Sequence, residues 1–191
     1  MIAIIKYNAG NIASVQNSLN RMGYESILTD DPREILSADK VIFPGVGEAS
    51  SAMNYLKQHG LDRVLLQVEK PFLGICLGLQ LMCRSSEEGD TKCLGIFDAV
   101  VRKFPSSVKV PHMGWSELVE PFTNSLINES FEDFYFVHSY YAEVNKQTTA
   151  RCNYGVEFSA MIQKDNYYGM QFHPEKSGEV GEELLSKFLK L

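Results

Sequence analysis

The sequence predicts an α/β fold with a central, mostly parallel sheet flanked by helices, and three observations support this prediction. Residues 1–5 form a continuous apolar run, which is typical of a strand buried on both faces of a parallel sheet. Two further strands are predicted at 24–28 and 39–43. Segments of helical periodicity separate these strands at short intervals, as in βαβ units.

The helices are predicted from their apolar faces and their end signals. Asn11 is a suitable N-cap, and Gly23 a suitable C-terminal residue, for a first helix. Its apolar face consists of Ile12, Val15, Leu19 and Met22. The apolar side of a second helix consists of Ala49, Ala52, Met53 and Leu56. A third helix is expected over 61–68. The last helix of the chain is expected to face the core with Val180, Leu184, Leu185, Phe188 and Leu189.

Beyond residue 85 the helix signals nearly vanish until that last helix. Strands are predicted at 94–104, 109–111, 133–137, 148–152, 158–163 and 167–172. We expect some of them to extend the central sheet and others to form a small hairpin region beside it. With 191 residues and neither linker nor repeat, the chain 1–191 is expected to be a single domain.

The composition argues against several classes of function. A net charge of −6 without a basic run disfavours nucleic acid as the main partner. No apolar run approaches the ~20 residues of a membrane span, and the start lacks the features of a signal peptide. The cysteines and histidines show no C-x-x-C or H-x-x-x-H spacing, so no metal site is expected. A reducing cytoplasm is the expected location.

The segment 71–82 predicts a strand, a tight turn at Cys76 and the start of a helix. Gly74 and Gly78 have no Cβ atom, which allows strand and helix to pack closely around a strained turn. This G-x-C-x-G pattern is the thiol version of a nucleophile elbow. The helix N-terminus favours a thiolate, and the Leu77 N–H would form half of an oxyanion hole. A buried cysteine in an ordinary βα turn is the alternative.

The sequence His173-Pro174-Glu175 offers a base and a carboxylate that orients it. Pro174 disfavours helix at His173, and residues two apart in an extended chain project to the same side. The Glu175 carboxylate can therefore fix the tautomer of the His173 imidazole, as a base for a nucleophilic thiol requires. A surface loop with a chance His-Pro-Glu is the alternative.

The loop Pro44-Gly45-Val46-Gly47 follows a predicted central strand, where open α/β sheets bind their ligands. The two glycines allow the backbone to approach a substrate closely. A backbone N–H of Gly45, Val46 or Gly47 is therefore a candidate for the second oxyanion donor. A plain strand-to-helix turn is the alternative.

Together these three motifs resemble the class I (triad) glutamine amidotransferases. Within that superfamily, three further stretches look like the glutaminase subunits of imidazole glycerol phosphate synthases. They are Tyr7-Asn8-Ala9-Gly10-Asn11, Pro111-His112-Met113-Gly114-Trp115 and Tyr135-Phe136-Val137-His138-Ser139-Tyr140. The resemblance covers essentially the whole chain and implies a flavodoxin-like amidotransferase fold. The chain departs from the family pattern at Leu79, where methionine is common, and in the poorly characteristic segment 85–93.

The resemblance implies that the chain hydrolyses L-glutamine to glutamate and ammonia through a thioester on Cys76, without a cofactor. His173 would act as base and then as acid, with Glu175 as its orienting group. The residues that would contact the glutamine are Gln80, Ser139 and Tyr140. From the residues alone, Gln80 also fits an exposed helix turn, and Tyr140 also fits the core of a strand.

The resemblance further implies a partner for the acceptor chemistry, because the chain contains no nucleotide-binding domain. The family's partner is a (β/α)8-barrel cyclase of the HisF type, which receives the ammonia in a heterodimer and uses it in histidine biosynthesis. The candidate residues for the docking face are Met113, Trp115, Tyr135 and Lys176. Core packing is the alternative for Met113, Trp115 and Tyr135, and a solvated side chain is the alternative for Lys176.

Hydrolysis without a bound acceptor would waste ammonia, which suggests a hypothesis about control. The Gly45-Val46 or the Val46-Gly47 peptide would hold its N–H away from the substrate until the partner binds its nucleotide. The glycines on either side would permit that rotation.

Three other functions stay open on the sequence alone. Another class I glutaminase, for instance one that serves pyridoxal phosphate synthesis, would share the triad but should lack the stretch 111–115. A paralogue that feeds ammonia to an amidino-sugar pathway would keep all the motifs, so its partner would distinguish it. A non-enzymatic interaction module is disfavoured by the intact cysteine, histidine and glutamate.

Overall fold

The computed structural model describes residues 1–8, 10, 12–119, 126 and 133–191. Within these residues the strands are β1 (Ile2–Ile5), β2 (Ser26–Thr29), β3 (Lys40–Phe43), β4 (Phe72–Ile75), β5 (Ser85–Ser86), β6 (Thr91–Lys92), β7 (Val100–Lys103), β8 (His112–Glu117), β9 (Asp133–His138), β10 (Tyr140–Ala142), β11 (Thr148–Asn153), β12 (Glu157–Lys164) and β13 (Tyr167–Met170). The helices are α1 (Ile12–Arg21), α2 (Pro32–Ser37), α3 (Ala49–Gln58), α4 (Leu61–Leu65), α5 (Leu77–Met82) and α6 (Gly178–Leu189). None of these helices is long and apolar enough to cross a lipid bilayer.

A seven-stranded sheet forms the centre of the described structure, in the order β11-β12-β13-β4-β3-β1-β2. Five strands are parallel neighbours in the flavodoxin-like order 2-1-3-4-5, with β13 in the fifth place. β12 and β11 continue the sheet in antiparallel pairing. Ala3 and Ile5 are buried on one face of β1, and Ile2 and Ile4 on the other. The prediction of a mostly parallel α/β sheet is confirmed, and burial on both faces explains the apolar run at residues 2–5.

Helices cover both faces of this sheet. α2 to α5 contribute to the buried core on one face, and α1 and α6 to the core on the other. Asn11, the predicted cap of α1, lies outside the described residues. α2 was not predicted, although the sequence carries its start signal. Asp31 accepts a hydrogen bond from the Arg33 N–H at 2.7 Å, and Pro32 takes the first helical position. α4 ends at Leu65, earlier than the predicted residue 68.

Two smaller sheets form the β-rich region that was predicted beside the main sheet. One has the order β10-β7-β5-β6, and the other is the hairpin β8–β9. The strand predicted over 94–104 is wrong except for β7. The N–H groups of Leu94 and Phe97 instead donate to carbonyl oxygens in the last turn of α5, which a helix end leaves free.

The strand predicted at 109–111 is also wrong. The Val110–Pro111 peptide bond is cis, and β8 begins only at the next residue, His112. Proline has no N–H to offer a strand partner, which explains why the pairing starts after it. Neither β8 nor β10 was predicted from the sequence.

Two buried histidines, His112 of β8 and His138 of β9, face each other across the hairpin. Burial lowers the pKa of His112 to about 4 and that of His138 to about 3, so both rings are neutral at neutral pH. His138 Nδ1 lies 2.7 Å from the Tyr140 carbonyl oxygen, which can only accept, so Nδ1 carries the proton. His138 Nε2 then accepts from His112 Nδ1 at 3.0 Å, and His112 Nε2 from the Ser116 hydroxyl at 3.0 Å. A backbone carbonyl thus sets the tautomer of both rings.

These lowered pKa values predict a loss of stability in acid. An unfolded histidine titrates near about pH 6.5, so below that pH the unfolded chain binds protons that the folded chain does not. Each such proton lowers the free energy of unfolding by about 1.4 kcal/mol per pH unit, down to the pKa of the folded state. His112→Asn keeps a donor for His138 and does not titrate. We expect this variant to lose about 2 kcal/mol less than the wild type between about pH 6.5 and about pH 4.5, measured by urea unfolding.

His59→Asn is the matched control, because His59 is exposed on the surface. As the pH is lowered, the free energy of unfolding of the His59→Asn variant should decrease as steeply as that of the wild type. Equal acid dependence in His112→Asn and the wild type would contradict a neutral, buried His112.

Candidate active site

Cys76 occupies a strained turn between β4 and α5. Its backbone has φ 53 and ψ −108, a conformation that non-glycine residues rarely adopt. The Cys76 N–H donates to the Met170 carbonyl at 2.7 Å, which ties the turn to β13. A Cβ at Gly78 would lie 1.8 Å from the Phe43 carbonyl oxygen, and one at Gly74 would lie 2.4 Å from Met82 Sδ. Both glycines of the predicted elbow are therefore required by close packing.

His173 and Glu175 follow the end of β13, the neighbour of β4. His173 is extended, with φ −102 and ψ 92, as the following proline predicts. Its Nδ1 lies 2.8 Å from Glu175 Oε1, and the two side chains are 1% and 0% exposed. The carboxylate accepts from Nδ1–H, so Nε2 is the atom left to exchange protons. Nε2 is buried and has no hydrogen-bond partner among the residues that the structure describes.

The charge state of His173 is set by its two neighbours. Burial acts to lower the pKa of the imidazole. Electrostatic attraction by Cys76, and then by Glu175, outweighs burial and raises the pKa of His173 above its usual range. The site therefore favours a protonated imidazole beside the Cys76 sulfur.

Backbone hydrogen bonds join the turn at His173 to strand β9. The His173 N–H donates to the Tyr135 carbonyl at 2.9 Å. The Ser177 hydroxyl donates to the His173 carbonyl at 2.7 Å and accepts from the Tyr135 N–H at 3.0 Å. Ser177 is buried, and both backbone polar groups of Tyr135 are used on this turn. The position of His173 therefore depends on β9.

The predicted oxyanion groups lie together, but the Leu77 N–H is already occupied. It donates to the Gly45 carbonyl at 3.2 Å. The loop is held in this arrangement by Tyr7, whose hydroxyl donates to the Pro44 carbonyl at 2.7 Å. The Gly10 N–H donates to the Val46 carbonyl at 3.2 Å. Ala9 and Asn11, in the same N-terminal motif, lie outside the described residues. An oxyanion can reach the Leu77 N–H only after the Gly45 carbonyl moves away.

A cavity of about 250 Å³ opens beside the sulfur. The predicted residues Val46, Gly47, Cys76, Leu77, Gln80, Ser139 and Tyr140 line it, together with Glu88, Pro111, Val137 and His138. Glu88 was not predicted, because it lies in the segment whose sequence gave no signal. Its Oε2 accepts from the N–H of Ala49 at 2.8 Å, and burial raises its pKa above the usual range. The cavity thus offers an acidic side chain and a thiol within one small volume.

Gln80, which lines this cavity, forms a buried amide pair with Gln171. Gln80 Nε2 lies 2.8 Å from the Tyr140 carbonyl oxygen and 3.0 Å from Gln171 Oε1. Gln171 Nε2 in turn lies 3.7 Å from Cys76 Sγ. Sequence reasoning missed Gln171, although it precedes His173 by two residues. In an extended segment that spacing places both side chains on the same side.

Three of the cysteines are outside this site. Cys83, Cys93 and Cys152 are free thiols in the core. Burial raises the pKa of Cys93 and of Cys152 to about 12, and that of Cys83 well above its usual range. These three thiols are therefore protonated at neutral pH. Across the described ranges, no group of three or more His, Cys, Asp or Glu side chains is placed to hold a metal ion.

The candidate docking residues lie on or next to the β8–β9 hairpin. Met113 is 61% exposed and Trp115 is 55% exposed, so core packing is excluded for both. The ring of Tyr135, half-buried, lies 6.0 Å from that of Trp115. Lys176 is exposed in the turn after His173. Met113, Trp115 and Tyr135 form an apolar surface of residue types that are enriched at protein interfaces.

Comparison with known proteins identifies the family. The sequence profile of the family described as glutamine amidotransferase class-I matches residues 4–191. Imidazole glycerol phosphate synthase subunit HisH of Bacteroides fragilis (strain YCH46) is 52% identical over 200 residues, covering 100% of this chain and 99% of the relative. Subunit HisH of Bacteroides thetaiotaomicron is 53% identical over 196 residues, with coverage of 100% and 99%. Subunit HisH of Idiomarina loihiensis is 43% identical over 191 residues, with coverage of 100% and 97%.

Solved structures show the same fold at much lower identity. One glutamine amidotransferase superposes with a TM-score of 0.75 at 16% identity, covering 100% of this chain and 98% of that one. PurLQS from Thermotoga maritima superposes with a TM-score of 0.70 at 18% identity, covering 99% and 97%. The fold, the full-length family match and the HisH relatives agree. The chain belongs to the class I glutamine amidotransferases, in the family of the HisH subunits of imidazole glycerol phosphate synthase.

Proposed function

We propose that the chain is the glutaminase subunit of an imidazole glycerol phosphate synthase. It hydrolyses L-glutamine to glutamate and ammonia and delivers the ammonia to a cyclase partner in histidine biosynthesis. The observation that carries the proposal is the buried His173–Glu175 pair beside Cys76, whose side chain lines a small cavity. Nucleophile, base and orienting group are the parts that thiol-dependent amide hydrolysis needs.

The reaction proceeds in two halves. The Cys76 thiolate attacks the carboxamide carbon of glutamine, and the protonated His173 Nε2 gives its proton to the departing ammonia. The resulting thioester joins Cys76 to the glutamyl group. A water molecule, deprotonated by His173, then attacks the thioester and releases glutamate and the thiolate. Glu175 holds Nδ1–H throughout, so that Nε2 always faces the reacting atoms. Thiol and imidazole suffice for these steps, so the proposal includes no cofactor.

The oxyanion hole is assembled only when the loop 45–47 changes its conformation. The Leu77 N–H is one donor, and an N–H of Gly45, Val46 or Gly47 is the other. The hydrogen bond from Leu77 to the Gly45 carbonyl supports the view that the isolated subunit rests in a less active state. Binding of the nucleotide by the partner releases that hydrogen bond and turns an N–H of the loop toward the substrate.

Four residues of the cavity recognise glutamine. The Glu88 carboxylate pairs with the α-ammonium group, which no other acidic side chain of the cavity lining can do. Gln80, Ser139 and Tyr140 contact the rest of the substrate, with backbone groups of Ser139 and Tyr140 taking part. A cavity of about 250 Å³ suits a molecule of amino-acid size.

The partner is a (β/α)8-barrel cyclase of the HisF type, and the two chains form a heterodimer. The exposed side chains of Met113 and Trp115, together with Tyr135 and Lys176, form the docking face. The heterodimer works in the cytoplasm, a location that four free cysteines support. The chain 1–191 acts as a single amidotransferase domain in this complex.

Glutamate production by the purified chain tests the proposal directly. We expect slow hydrolysis by the chain alone and at least about tenfold faster hydrolysis with the cyclase and its nucleotide, because only the pair frees the Leu77 N–H. Cys76→Ala should lower the stimulated rate by at least about a thousandfold. Cys93→Ala, which removes a thiol outside the site, is the matched control and should stay within about threefold of the wild type.

Two results would count against the proposal. Full activity of the isolated chain would mean that the oxyanion loop is not gated by the partner. Activity that survives Cys76→Ala would remove the thioester mechanism altogether.

Glu88→Gln tests the recognition of the α-ammonium group. Loss of a charge-assisted pair in a half-buried site corresponds to about 1.5–3 kcal/mol, so KM for glutamine should rise by about tenfold or more. The value of kcat should change less, because Glu88 does not touch the carboxamide. Glu87→Gln is the control, since Glu87 is exposed and does not line the cavity. An unchanged KM in Glu88→Gln would place the ammonium group elsewhere.

Trp115→Ala tests the docking face. A large exposed aromatic at the centre of an interface contributes about 2 kcal/mol or more, so Kd for the cyclase should rise by about thirtyfold. Leu66→Ala is the control, because Leu66 is 50% exposed but lies outside the hairpin. Calorimetric titration measures both. Equal Kd values for Trp115→Ala and the wild type would show that the partner binds another face.

A further inference from the structure

A chain of buried amide groups joins the Tyr140 carbonyl to the Cys76 sulfur. The Tyr140 oxygen can only accept, so Gln80 presents its NH2 group to it, at 2.8 Å. The same NH2 group lies 3.0 Å from Gln171 Oε1, which accepts its second proton. With Oε1 engaged in this way, the amide plane of Gln171 turns its own NH2 group toward the sulfur, 3.7 Å from Sγ. The orientation of Gln171 is thus dictated by a backbone carbonyl that it does not touch.

We propose that Gln171 is a positioning residue for the nucleophile, donating an N–H to the Cys76 sulfur and thereby stabilising its thiolate form. The inference rests on the nucleophilic role of Cys76 proposed above. Gln171 transfers no proton, because a carboxamide is neither acid nor base at neutral pH. Its side chain is 0% exposed, so water cannot replace the missing donor when the amide is removed.

The neutral groups around the sulfur favour different states of Cys76. The Val137 carbonyl lies 3.8 Å from Sγ and can accept only from the thiol. The Gln171 amide donates, and a donor is favoured by the thiolate. The two contacts therefore oppose each other, and removal of Gln171 leaves the one that favours the thiol. Among the described residues, the titratable side chains around the sulfur or its cavity are Tyr7, Glu88, His138, Tyr140, His173 and Glu175.

Alkylation of Cys76 by iodoacetamide, followed by mass spectrometry of its peptide across a pH series, tests the proposal without glutamine or partner. In Gln171→Met we expect the pH midpoint of the alkylation rate to rise by about one unit, so that alkylation below the midpoint is about tenfold slower. Gln171→Glu, which has the same shape but presents an acceptor, should shift the midpoint at least as far. Gln67→Met is the matched control, because Gln67 is exposed and bonds only locally to Arg63.

A measurement on the unmutated protein covers the case in which both variants fail to fold. In 15N-labelled chain, the side-chain amide signal of Gln171 should shift over the same pH range in which Cys76 becomes reactive. Wild-type midpoints in the folded variants, or an amide signal that does not move in that range, would overturn the proposal. A shifted midpoint in a chain that hydrolyses no glutamine would support the role of Gln171 and contradict the glutaminase function instead.

Discussion

The close approach of Gly78 to the last carbonyl of β3 is the constraint on which the site depends. A Cβ at residue 78 would lie 1.8 Å from the Phe43 oxygen, so any side chain would push α5 away from the sheet. The same approach brings the Leu77 N–H within 3.2 Å of the Gly45 carbonyl, in the loop that follows Phe43. One contact therefore orients Cys76, the proposed nucleophile, and also places the Leu77 N–H, a proposed oxyanion donor, beside the carbonyl that occupies it. Strain at Cys76 persists because packing on both sides of the turn leaves no relaxed alternative.

The β8–β9 hairpin connects the proposed docking face to His173, the proposed base. Its outer side carries Met113 and Trp115, whereas its inner side carries the buried pair His112 and His138. The backbone of Tyr135 bonds the turn at His173 from both sides, directly and through the Ser177 hydroxyl. A partner that presses on this hairpin acts on an element that shares hydrogen bonds with the base. Hydrogen bonds of this kind supply a physical route for coupling, and the loop at Gly45 is the element proposed to change its conformation.

The sequence predicted the spatial placement of Cys76, His173 and Glu175 well and the residues that surround them poorly, for a physical reason. The elbow and the His-Pro-Glu turn are local, since spacing of a few residues already determines where Cys76, His173 and Glu175 project. Glu88 meets the site only through the packing of the segment after α5, which no short pattern reports. The spacing of Gln171 and His173 indicates a shared side, but the partners of Gln171 are set by tertiary packing. The same holds for residues 94–97, whose apolar run looks like a strand but satisfies the end of a helix. Burial can be predicted from the apolar residues of a segment, whereas the hydrogen-bond partner of a buried polar group is determined by the tertiary structure.

Buried histidines a short distance apart show how partners, rather than burial, decide charge. Desolvation acts to lower the pKa of His138 and of His173 alike. His138 is bonded to the Tyr140 carbonyl and to a neutral ring, and its pKa falls to about 3. His173 has a carboxylate on one side and the sulfur on the other, and its pKa rises instead. Because His138 stays neutral, its fixed Nδ1–H remains available to anchor the Tyr140 carbonyl. That carbonyl also accepts from Gln80, so a histidine outside the proposed triad helps to set the geometry around Cys76.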